Sequence, residues 1–129
     1  MAQFYMAIKS KPDFFSVEGV SAERISQAET VLNLHFAPEY REYLSAYGVA
    51  SADGHEFTGI CASPRLNVIN VTQEEKAALP DVPADWYVVE QAHIDSIVIW
   101  QSATGEVYQT QPGAKPLRLC SSLAEYIDL

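Results

Sequence analysis

Three histidines, His35, His55 and His93, and two cysteines, Cys61 and Cys120, are the side chains of this sequence best suited to hold a metal or move a proton. None falls at ligand spacing: H-E-x-x-H and C-x-x-C are both absent, so neither a metal nor an organic cofactor is expected. Phosphate chemistry lacks its cradle, because no G-x-G-x-x-G or G-x-x-x-x-G-K-[ST] occurs. The absence of G-x-S-x-G removes the nucleophile elbow. One acid–base candidate remains, the adjacent pair His55-Glu56. Consecutive residues of a strand point to opposite faces, which makes joint action on one substrate awkward. No catalytic residue is assigned, and the chain reads as a non-enzyme.

The elements that must position these residues are punctuated clearly in the first half. Ser21 is an N-cap, Glu23 places charge near the helix start, and Ile25, Ala28, Val31 and Leu32 form an apolar face that Asn33 ends in a left-handed conformation. Pro38 suits a first helical position, and Tyr40, Tyr43, Leu44 and Tyr47 follow as a buried stripe with Gly48 as a left-handed cap. Asp53-Gly54 makes a turn into a strand from His55 to Cys61, in which Gly59 marks a bulge or a close backbone approach. Leu66 to Val71 reads as a short extended stretch, and Thr72-Gln73-Glu74-Glu75 as a capping box opening a helix that Pro80 stops.

Strands then follow one another. Trp86 to Gln91, Ile97 to Gln101, Glu106 to Thr110 and Leu117 to Cys120 are β-rich runs, with Ala103-Thr104-Gly105 as a tight turn and Ser122-x-x-Glu125 capping a terminal helix. The predicted fold is therefore α+β: a mainly antiparallel sheet with helices packed on one face. At 129 residues, 48% of them hydrophobic, the chain is expected to form one domain with no linker, residues 1–20 being an N-terminal arm or short helix. A domain of this size needs no disulfide, so both cysteines read as buried thiols. The N-terminal residues do not read as a secretion signal and no run approaches a membrane span, so a cytoplasmic protein with no membrane partner is expected.

Eight Lys and Arg against 17 Asp and Glu give a formal charge of −9, which argues against direct nucleic-acid binding and fits a basic protein partner. Between Asp53 and Glu106 lie nine carboxylates and only two cations, Arg65 and Lys76. Simple solubility is the competing explanation. Within this acidic segment, Ile97-Val98-Ile99-Trp100 is apolar on both faces, as a covered central strand requires. Trp86 and Trp100 therefore read as core, the alternative being that Trp100 or Tyr108 reaches an exposed aromatic patch.

The run Leu32 to Leu44 (LNLHFAPEYREYL), Tyr47-Gly48, and Gly54 to Ile60 (GHEFTGI) resembles the SUKH superfamily of Smi/Knr-type proteins. The resemblance continues through Asn67 to Thr72, Asp85 to Val89, Ile94 to Gln101, Gly105 to Tyr108 and Ser122 to Ile127, in order and spacing, and leaves Met1 to Val20 outside. Asn33 stands where relatives often have glycine, and Ala37-Pro38 shifts the usual proline; both suit the same backbone. Resemblance to the immunity branch implies a cytoplasmic antidote that binds and neutralises a cognate toxin domain, often a nuclease. Resemblance to the cell-wall and Sec-associated branches implies instead a regulatory adaptor for a cellular protein. For the acidic docking face the candidates are Asp53, Glu56, Asp95 and Glu106, in turns and at strand ends, with Trp100 and Tyr108 as apolar anchors.

Overall fold

A computed structural model describes residues 3–129. Its elements run α1 (Phe4–Lys9), β1 (Phe15–Glu18), α2 (Ala22–Leu32), α3 (Pro38–Ala46), β2 (Tyr47–Ala52), β3 (His55–Phe57), α4 (Val68–Ala78), β4 (Tyr87–Gln91), β5 (Val98–Gln101), β6 (Val107–Thr110), β7 (Leu117–Cys120) and α5 (Leu123–Tyr126). The seven strands pair antiparallel in sequence order, so the sheet is a meander with β1 and β7 at its edges. The α+β architecture is as the sequence predicts. The expected arm is thus the short helix α1 plus an edge strand.

One sheet face carries the main core. Phe4 and Ile8 of α1, Ile25 and Ala28 of α2, Tyr40, Tyr43 and Leu44 of α3, and Leu123 of α5 meet Ala50, Phe57, Tyr87, Val89, Ile99 and Val107 there. Tyr40, Tyr43 and Leu44 of the expected stripe are buried, Tyr47 only partly so, and the two buried hydroxyls are satisfied. Tyr43 donates to the Thr58 carbonyl and accepts from the Ala50 amide, while Tyr40 reaches the Thr58 hydroxyl. Helix α4 alone crosses to the other face, where Val71 packs with Trp86, Val88, Val98 and Trp100. That helix covers only the β4–β5 region, and the same face of β1–β3 stays open.

Local chemistry explains most boundaries and several departures. Ser21 caps α2 by accepting from the Arg24 amide, and Asn33 ends it at φ 54°, ψ 48°. Val31 nevertheless faces solvent, and Glu29 takes the inward place with its carboxylate accepting from the Phe36 amide at 2.8 Å. Gly48 is not a left-handed cap. Helix α3 stops at Ala46, Tyr47 is already extended, and Gly48 lies within β2, a strand the helical reading of Tyr47 concealed. Its small size serves a crossing instead: a Cβ on Gly48 would sit 2.7 Å from the Glu18 carbonyl oxygen, and a Cβ on Gly59 would sit 1.8 Å from the Gly48 carbonyl oxygen. Gly59 is therefore the close-approach glycine, and β3 ends two residues before it.

Helix α4 starts earlier than expected. Asn67 caps it by accepting from the Ile69 amide at 2.9 Å, so Leu66 to Val71 is a 3-10 turn (Pro64–Leu66) running into helix rather than an extended stretch. Thr72 lies inside the helix, its hydroxyl accepting from the Val88 amide, and Glu74-Glu75 are not at the helix start. Half of the second capping box forms: Ser122 accepts from the Glu125 amide at the head of α5, while the Glu125 carboxylate accepts from the Ser121 amide. Cys120 is buried as expected, Cys61 is only partly so, and both are free.

Candidate functional site

Strand pairing decides which candidate residues meet. Phe57 on β3 stands opposite Glu90 on β4, so the Asp53-Gly54 turn and the β4–β5 loop lie at one end of the sheet. Asp53, Glu56 and Asp95 gather at that end. Asp53 and Gly54, at φ 51° and 82°, form the tight hairpin turn, and Asp95 projects from a loop in which His93, Asp95 and Ser96 all have positive φ. Glu56 pairs with both terminal guanidinium nitrogens of Arg65, at 3.1 and 2.9 Å, and His93 approaches it at 3.8 Å. That bidentate contact holds the Glu56 carboxyl below its ordinary range.

Glu106 is not part of this group. It lies in the β5–β6 turn at the opposite end, bound to Arg118 on β7 at 2.9 Å. Nor is Trp100 a surface anchor: its side chain is 0% exposed and its indole N–H donates to the Thr110 hydroxyl at 2.8 Å. An apolar strand covered on both faces had no room to present it. Tyr108 is half-buried, stacked on Trp86 at 4.2 Å between centroids, and neighbours Glu106 and Arg118 rather than Asp95. The six candidates thus divide into an acidic end (Asp53, Glu56, Asp95), an opposite-end pair (Glu106, Tyr108) and one core residue.

His55 and Glu56 do point to opposite faces. His55 turns inward and donates from Nδ1 to Glu90 at 2.9 Å; Tyr126 of α5 donates to the same carboxylate at 2.6 Å, and the Glu56 amide at 3.1 Å. Glu90 is only 5% exposed, and its buried carboxylate is held by these three donors of the chain itself. Bonding to Glu90 raises the His55 pKa, against the lowering effect of burial. Sequence reasoning missed Glu90 because a β-bulge between Val88 and Glu90 turns it to the inner face, where simple alternation would place it with Val88. Among the described residues no cluster of His, Cys, Asp and Glu is arranged to hold a metal ion.

Sequence reasoning also missed the apolar neighbour of the acidic end. Phe15 stands opposite Ser51, and Ser51 opposite Glu56, so the three form a row on the open face of β1–β3. Phe15 is 64% exposed. The available signal was the excess of aromatic residues before Val20, too many for a free tail.

A family model described as SMI1-KNR4 cell-wall, SUKH_5, matches residues 3–128. The chain belongs to this family. The match extends the resemblance through α1 and β1, and so makes the edge strand with Phe15 part of the family's domain. No curated protein matches the chain. No described helix is long and apolar enough to cross a membrane.

Proposed function

We propose that this SUKH-family protein is a non-catalytic, cytoplasmic binding module: an antidote that docks a basic toxin domain, such as a nuclease, on the acidic end of its sheet. The observation that carries this reading is the gathering of Asp53, Glu56 and Asp95 at that end. Carboxylates grouped in this way steer a cationic partner and speed encounter, and they compete for the groove in which a nuclease holds phosphates. A family description that names the cell wall favours a second reading, an adaptor for a cell-wall component. That reading does not require a cationic partner.

The test is surface-immobilised binding of the protein encoded beside this gene, across a salt series. Association should slow markedly as ionic strength rises, while dissociation changes less. Reversing Glu56 and Asp95 together to lysine should lower the association rate about tenfold or more. Salt-independent association and an unaffected double variant would sink the antidote reading and leave the acidity to solubility.

A further inference from the structure

The open face of β1–β3 holds a hollow of about 120 Å³ lined by Phe15, Val49, Ser51, Glu56 and Leu66. Its floor is strand, and Leu66 belongs to the 3-10 turn that leads into α4. Three of those lining side chains are apolar and one is a carboxylate, while Phe15 at 64% exposure and Val17 at 39% leave β1 with little cover. A hollow of this volume accommodates one large side chain. Around it the charge is one-sided: Asp13, Asp53, Glu56 and Asp95 stand at this end of the sheet, with the Asp53 amide bonded to the Pro12 carbonyl beside Asp13. Among the described residues, Arg65 is bound to Glu56 and His93 approaches it at 3.8 Å.

We propose that this hollow is the centre of the protein's docking surface, taking one large apolar side chain from a partner segment whose flanking Lys or Arg residues meet Glu56 and its neighbouring carboxylates. The inference rests on the reading of the chain as a binder of basic proteins and adds to it the apolar centre. Interfaces concentrate affinity in a desolvated anchor pocket ringed by polar groups, and carboxylates at the rim select a cationic flank. A second copy of this chain is the wrong occupant, since its net charge of −9 would bring carboxylates against carboxylates. Strand-to-strand pairing through β1 is also disfavoured, because the edge is four residues long and bulged between Ser16 and Glu18.

The probe is a random peptide library displayed on phage and selected on the immobilised protein. Recovered peptides should carry an aromatic or large aliphatic residue flanked by Lys or Arg. Their affinity should fall about tenfold or more on Phe15→Asp and on Val49→Asp, and also on Glu56→Lys. Two aspartate variants at separate strands guard against a folding artefact, and their unfolding midpoints are measured alongside. Peptides without basic residues, or peptides held equally by all three folded variants, overturn the proposal. So does a concentration-dependent dimer that Phe15→Asp abolishes, which would make the occupant a second copy. If the neighbouring gene's product fails to bind while basic, apolar peptides are held through Phe15, the antidote reading falls and the docking surface stands.

Discussion

The two halves of the sheet are built to different rules. In β4 and β5 both faces are covered: Tyr87, Val89 and Ile99 face the helical core, and Val88, Val98 and Trp100 face α4. In β1–β3 only one face is covered, and the other shows Phe15, Ser51 and Glu56 to solvent. A strand buried twice spends its side chains on packing, and a strand buried once has a face left for binding. The difference is the physical ground for proposing recognition in the N-terminal half of the sheet, although the aromatic residues most suggestive of an anchor, Trp86 and Trp100, lie in the other.

The largest expected effect tests the covered half. Trp100→Ala removes the largest fully buried side chain and strands the Thr110 hydroxyl, and should cost about 3–5 kcal/mol in urea unfolding. A loss below about 1 kcal/mol would mean that the α4 face is not a packed core. Next comes the seam where the chain leaves the open half. Gly59→Ala drives a Cβ into the Gly48 carbonyl, which cannot swing away as a side chain would, and should cost about 1–3 kcal/mol by the same measurement. An unchanged midpoint would show that the crossing can open without loss.

How much of this was legible follows the same division. The run Ile97 to Trp100 announced a twice-covered strand because both of its faces are apolar, and the Asp53-Gly54 and Ser122-x-x-Glu125 signals act within a few residues. Strands β1 and β2 were illegible for opposite reasons. The first is short and mostly exposed, so burial imposes no alternation on it, and Tyr47 continued a helical period that the backbone abandons after Ala46. The start of α4 hid behind β-branched Val68, Ile69 and Val71, which tertiary packing makes helical against their preference. Of the site, composition revealed the acidity but not its grouping. Glu56 meets His93 only because β3 and β4 pair, and Glu106 leaves the group because a hairpin carries it to the far end.

A smaller effect probes the border between the halves, where His55 of β3 binds Glu90 of β4 and Asp53 and Tyr126 lie nearby. The folded state raises the His55 pKa above its ordinary 6.5, so it holds that proton more tightly than the unfolded chain does. The stabilisation is therefore complete below the ordinary value and is lost as pH rises through the folded one. The gap in unfolding midpoint between the protein and its His55→Asn variant should widen as pH falls from about 8.5 to about 6. A gap that does not change with pH would mean that His55 contributes packing on Phe57 and Tyr126 but no charge.

The smallest expected effect is the one that separates the halves most sharply. Phe15→Asp places a carboxylate where a large aromatic now stands, a change that in any covered strand would bury an unpaired charge and unfold the protein. On β1 the ring is mostly in water, its strand lies at the sheet edge, and its direct cross-strand partner on that face is the small Ser51. Little apolar area is lost, and the new carboxylate stays solvated. Its repulsion from Glu56, one strand beyond Ser51, is screened at ordinary salt. The unfolding midpoint should therefore move by no more than about 0.5 kcal/mol equivalent. A cost of several kcal/mol would show that Phe15 is packed in solution, that the face of β1–β3 is closed, and that the contrast between the two halves does not exist.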